Sequence, residues 1–226
     1  MIAAWILGLL LVVALPCRAL RNSRIDKPAR SPTRRYLETI AEIAVLLAGL
    51  WLISYLLRIG PAALGLAWPP PPAGQVGLIV AAVLAIGLLV GVLFAEPRSG
   101  SAREQEAIAA LPESRDETLV FLAVTPFAGF GWEILYRGFL LWWLTPLVGI
   151  VAAVVIASLA YGLAHGWKNR TRGRRFGSIL SAFLFTIGYA IIGSLWWLIA
   201  LHTALPLIGL LACRRARTAQ AEPQPI

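Results

Sequence analysis

The sequence predicts an all-α fold, a polytopic helical membrane bundle of about seven transmembrane helices. Two observations set the class: 59% of the 226 residues are hydrophobic against 14% charged, and the apolar residues fall into runs separated by short charged stretches. A bilayer core about 30 Å thick is crossed by about 20 apolar residues at about 1.5 Å each, and a helix satisfies its own backbone in lipid. A third observation orients the bundle. Of the 20 Lys and Arg residues, 18 fall in stretches that alternate to one side, leaving Arg58 and Arg137. The formal charge of +9 therefore follows the positive-inside rule and does not mark a nucleic-acid partner.

The first helix is expected over Ile2–Leu15. It has no basic residues before it, and Cys17-Arg18-Ala19 is no small-x-small cleavage site, so it is retained. Arg18, Arg21, Arg24, Lys27, Arg30, Arg34 and Arg35 against Asp26 make the next loop cytoplasmic. A second helix over Tyr36–Leu57 leads to an outer loop with Gly60-Pro61 and Trp68-Pro69-Pro70-Pro71-Pro72, read as a stiff extended link. The third helix, Gln75–Phe94, ends at Glu96-Pro97. A mixed-charge inner loop with Arg98, Arg103, Glu104, Glu106, Glu113, Arg115 and Asp116 follows.

The fourth segment, Glu117–Leu144, is longer than one span needs, and Pro126 with Gly129 and Gly131 predicts a kink about one turn before Glu133. Thr145-Pro146 is the expected outer turn, and a fifth helix returns through Leu147–His165. Lys168, Arg170, Arg172, Arg174 and Arg175 form a third inner loop. The sixth and seventh helices, Phe176–Ile192 and Ser194–Cys213, meet near Gly193. The N-terminus is then outside and the C-terminus inside. The expected organisation is three helices over 1–111, a four-helix core over 112–213 and a basic tail over 214–226. Cys17 and Cys213 fall on the inner side, where no disulfide is expected. Trp142, Trp143, Trp167, Trp196 and Trp197 read as interfacial anchors.

The ionisable residues left within spans are Glu38, Glu42, Glu133, Arg137, His165 and His202. Glu38 and Glu42 lie near the basic interface and are assigned to pairing with Arg34 or Arg35. The other four are functional candidates, because a charge at mid-membrane costs at least about 2.5–3.5 kcal/mol. Glu133 and Arg137 stand at i and i+4, the favourable order for an ion pair on one helix face. A carboxylate takes a proton from water, one histidine shares it and another steadies an oxyanion, so the set suits hydrolysis. A structural salt bridge with two carbonyl-bound histidines is the other reading of the same residues. A proton-carrier role for Glu133 has neither an internal repeat nor an even helix number behind it.

Three stretches, in order, carry a family likeness: Trp132-Glu133-Ile134-Leu135-Tyr136-Arg137, Tyr161-Gly162-Leu163-Ala164-His165, and His202-Thr203-Ala204-Leu205-Pro206. Together they resemble the CAAX protease and bacteriocin-processing family, also called the Abi family, of intramembrane endopeptidases. The resemblance covers residues 112–212. It implies Glu133, His165 and His202 as catalytic residues, with Arg137 and Tyr161 supporting them. The implied partners are the lipid bilayer and a peptide or protein substrate, lipidated or a leader peptide, at a bacterial or archaeal plasma membrane. The implied cofactor is none, or a divalent metal such as zinc held by Glu133, His165 and His202.

Two positions depart from the family pattern. Trp132 stands where the family has the first Glu, the base that activates water, and an indole accepts no proton. Glu133 lies about 100° round the helix from it. Pro206 replaces the Asn or Asp that helps hold the oxyanion. Two readings follow. One is an active endopeptidase with a shifted site; the other is a pseudopeptidase that binds a peptide or partner helix without cutting.

Overall fold

Among the described residues, 1–23, 31–95, 112, 114–166 and 172–221, the computed structural model contains helices and their connections and no strand. Helix α1 spans Ile2–Asn22, with a π-helical stretch at Leu10–Ala14. Helix α2 is Pro32–Leu57 and α3 is Pro72–Phe94. A continuous helical run then covers Arg115–His165, 51 residues. Straight, it would reach about 76 Å, more than twice the bilayer core. It does not stay straight: Gly149 adopts φ 78°, ψ 159°, which divides it into α4 (115–148) and α5 (150–166). Helices α6 (Arg172–Ile192) and α7 (Trp196–Ala221) complete the seven among the described residues.

The turn is therefore at Gly149 and not at Thr145-Pro146. Reversal needs a positive φ, which glycine takes without a Cβ clash, whereas Pro146 is absorbed within the helix. Pro126 lies inside Arg115–Glu133, and a π-helical stretch, Ile134–Phe139, follows it.

Local chemistry sets the other boundaries. The Arg34 amide donates to the Ser31 hydroxyl at 3.3 Å and Pro32 opens α2, the combination that suits a helix start. Arg58, in the left-handed region, ends it. A capping box joins Ser114 and Glu117 at the start of α4. At the far end of α7, Arg214 donates to the Thr118 hydroxyl at 2.6 Å and Arg215 to the Val92 carbonyl at 2.8 Å. Arg215 thus meets the carbonyls that the end of α3 leaves free.

The link between α2 and α3 is no simple extended strap. It forms a 3-10 turn, Pro61–Leu64, and buries Ile59 and Leu64. The Leu195 amide donates to the Gly65 carbonyl at 2.9 Å and the Trp196 indole to the Ala67 carbonyl at 3.0 Å. The loop is thus tucked against the start of α7, whose Ser194, Leu195 and Leu198 are buried.

Helix α4 is central, packed between α2 and α7, while α3 lies outside α7, α6 lies against α5, and α1 covers the α4–α5 hairpin. Glycines permit the close contacts. A Cβ on Gly131 would stand 2.2 Å from Ile43 Cγ2 on α2, and one on Gly138 would stand 2.9 Å from the Leu64 carbonyl oxygen. Large apolar side chains such as Trp51, Tyr55, Ile79, Val83 and Ile191 face outward, as lipid contact requires. The tryptophans are not all anchors. Trp143 is buried and stacks on Phe139, and Trp197 packs between Gly77 and Gly188.

Arg24, Asp26, Lys27, Arg30, Arg98, Arg103, Glu104, Glu106, Glu113, Trp167, Lys168 and Arg170 lie outside the described residues, as do 222–226.

Candidate active site

Register about Gly149 brings the first two motifs together. Trp132 and Glu133 precede it by 17 and 16 residues and His165 follows it by 16, so all three lie about 25 Å below the turn at 1.5 Å per residue. His202 reaches them from α7 because that helix begins inside the bundle. A Cβ on Gly138 would meet Leu195 at 3.3 Å. From that level Glu133 is five residues back along α4 and His202 seven along α7.

Glu133 and Arg137 are both fully buried, and Arg137 Nη1 donates to Glu133 Oε1 at 2.8 Å. His202 Nδ1 meets the same oxygen at 2.8 Å. A carboxylate can only accept, so Nδ1 carries the proton and the neutral ring keeps Nε2 as an acceptor. Glu133 Oε2 and Arg137 Nε and Nη2 make no hydrogen bond to the described protein atoms. Arg137 instead lies over the Tyr161 ring at 4.4 Å and near Phe185 at 5.9 Å, cation–π contacts that suit a guanidinium out of water.

His165 faces the other side of α4. Trp132 meets its ring edge-on at 4.4 Å, Tyr161 stacks on it at 4.3 Å, and Tyr136 stands at 5.6 Å. His165 Nδ1 donates to the Tyr161 carbonyl at 3.0 Å, which again leaves Nε2 as acceptor in the neutral ring. Tyr161 joins the two halves, its ring 6.5 Å from that of His202. Tyr136 closes the inner wall by donating to the Leu11 carbonyl at 3.4 Å, where the π-helical stretches of α1 and α4 meet.

The structure thus brings Glu133, Arg137 and His202 into one hydrogen-bonded cluster and sets His165 beside it, through Tyr161. His165 opens instead on a cavity of about 240 Å³ that it shares with Trp132, Arg18 and Glu42. Glu42 is paired with Arg18 of α1 and not with Arg34 or Arg35, whereas Glu38 takes Arg34 at 3.1 Å. Sequence reasoning set Glu42 aside on the strength of its basic neighbours. The signal was its position, one turn deeper into the span than Glu38. Pro206, four residues after His202, lies within α7 and cannot donate to the His202 carbonyl as a regular helix would.

Glu133, His165 and His202 do not fit a metal. Among the described residues no three His, Cys, Asp or Glu side chains are grouped to hold one, and His165 faces aromatic rings where Glu133 and His202 face each other.

Residues 114–208 match the family model described as Rce1-like, type II CAAX prenyl endopeptidase. The segment is Rce1-like. No curated protein and no solved structure matches the chain. The Rce1-like segment takes in α4, α5, α6 and the first half of α7, and with them every candidate residue of the three motifs. At family level the matched segment is similar to CAAX-type proteases, and among the described residues six helices are long and apolar enough to cross a membrane. Arg18 and Glu42 come from helices outside the matched segment.

Proposed function

We propose that the protein is an intramembrane endopeptidase of the CAAX-protease type, cleaving a peptide bond in a peptide or protein substrate, lipidated or a leader peptide. The supporting observation is that His165, its Nδ1 held on the Tyr161 carbonyl, opens on a polar cavity of about 240 Å³ at the end of α5. That volume accommodates a water, whose share of liquid volume is about 30 Å³, together with a peptide carbonyl.

In this reading water is held at His165. Glu133 is committed to Arg137 and His202 on the α7 face of α4, where it fixes the His202 ring beside Tyr161. Arg137 offsets the Glu133 charge. No step requires a metal.

A second reading has an observation of its own. The Trp132 indole covers the His165 edge at 4.4 Å in the place of the family's first Glu, which favours a protein that binds a peptide without cutting. Reconstituted protein assayed against prenylated and leader peptides separates the two. Cleavage by the wild type, lost in His165→Ala, supports the endopeptidase. Binding without cleavage, with activity appearing in Trp132→Glu, supports the pseudopeptidase.

A further inference from the structure

We infer that Glu42 of α2 is the carboxylate that works with His165 on the water, a role that rests on the endopeptidase reading. Four observations lead there. Glu42 and His165 line the same cavity. Trp132, the remaining large group on that wall, accepts no proton. Glu133 is closed off, fully buried with Oε1 shared between Arg137 and His202. Glu42 is half-buried, with 27% of its side chain exposed, and its bond to Arg18 uses Oε1, so Oε2 is left to take a proton and water can reach it.

Position makes the same point. Glu38 is exposed and paired with Arg34 at the mouth of α2, where a charge needs no explanation. Glu42 lies one turn deeper, where a carboxylate is retained at a cost unless a partner or a polar cavity receives it. Here both are present, and the cavity leads to a histidine.

The step balances without a further reactant. One water proton passes to Glu42 Oε2 while the water oxygen bonds to the carbonyl carbon and the carbonyl pair moves onto its oxygen. The other hydrogen stays on the oxygen and donates a hydrogen bond to His165 Nε2, which orients the attack. On collapse the C–N bond breaks, the proton leaves Glu42 for the nitrogen, and a carboxyl group and an amine result.

The test compares full-length protein in vesicles carrying Glu42→Gln, Arg18→Gln, Trp132→Glu and the Glu42→Gln/Trp132→Glu pair, each assayed on the peptide panel. Glu42→Gln should lower kcat by about 10²–10⁴ with little change in KM, the usual cost of losing a general base. Arg18→Gln breaks the same ion pair and keeps the carboxylate, so it should lower kcat by less than Glu42→Gln does. Adding Trp132→Glu to Glu42→Gln should restore cleavage, because a carboxylate then faces His165 from α4. Wild-type cleavage unchanged in Glu42→Gln would overturn the assignment and leave the endopeptidase reading standing. Arg18→Gln as impaired as Glu42→Gln, or a double variant without rescue, would reduce Glu42 to a pairing role. A wild type that cleaves nothing overturns the endopeptidase reading, and the catalytic role of Glu42 falls with it.

Discussion

Arg137→Met tests whether the buried polar cluster holds the bundle together. The substitution keeps an unbranched side chain of similar reach and removes the Nη1–Oε1 bond of 2.8 Å between two groups with 1% and 0% of their side chains exposed. Glu133 is then left with His202 as its single partner. Removing one member of a buried pair costs about 3–5 kcal/mol in soluble proteins, because the remaining charge is uncompensated. The contact of Arg137 with the Tyr161 face adds about 0.5–2 kcal/mol of cation–π attraction to what is lost. Glu133→Gln strands the guanidinium and should cost a similar amount. The double variant strands nothing, so it should be less damaging than the sum of the two by at least about 2 kcal/mol, within the range measured for directly coupled residues. The assay is reversible unfolding by SDS in mixed micelles, followed by tryptophan fluorescence. Single variants that add to within about 0.5 kcal/mol would refute coupling, and the motif would then be a marker of ancestry with no part in stability.

Gly138→Ala should detach the α2–α3 loop. The new Cβ would stand 2.9 Å from the Leu64 carbonyl oxygen, a backbone atom, and overpacking of this kind costs about 1–3 kcal/mol. Limited proteolysis across residues 59–71 should accelerate, and an unchanged rate would show that the loop is not held there. Trp132→Ala should expose His165 by removing the indole at 4.4 Å, at a packing cost of about 3–5 kcal/mol if the site does not collapse. Diethyl pyrocarbonate should then modify His165 faster, with His202 unaffected; equal acceleration at both would indicate general loosening.

Helix existence and number were legible because apolar run length is a direct physical measure of span. Pairing of Glu133 with Arg137 was legible for a similar reason, since i and i+4 share a face whatever surrounds them. The turn was misplaced because Pro146 is the louder breaker in a sequence, although reversal depended on the positive φ at Gly149. The place of that turn is what sets His165 level with Glu133. The level of His202 is set by the start of α7, where Ser194, Leu195 and Leu198 are buried. Its burial depends on the Leu195–Gly65 hydrogen bond, a contact between residues 130 apart that no local pattern announces. The Arg18–Glu42 pair is equally non-local, and nearer bases on α2 offered a simpler partner.

The division of the site follows from one residue of offset on α4. Successive helical positions differ by about 100°, so Trp132 faces α5 and the cavity while Glu133 faces α7. A carboxylate at 132 would meet His165; one at 133 meets His202, as observed. Having Glu at the second position alone therefore supplies the α7 side and leaves the α5 side without an acid from α4. Of the helices that line the cavity, α1 contributes a cation, Arg18, and α5 the histidine itself. That leaves α2, where Glu42 is the carboxylate at the required depth. On the endopeptidase reading, chemistry on the His165 face thus depends on a helix outside the Rce1-like segment, and a chain reduced to residues 114–208 should lack it even if those residues folded.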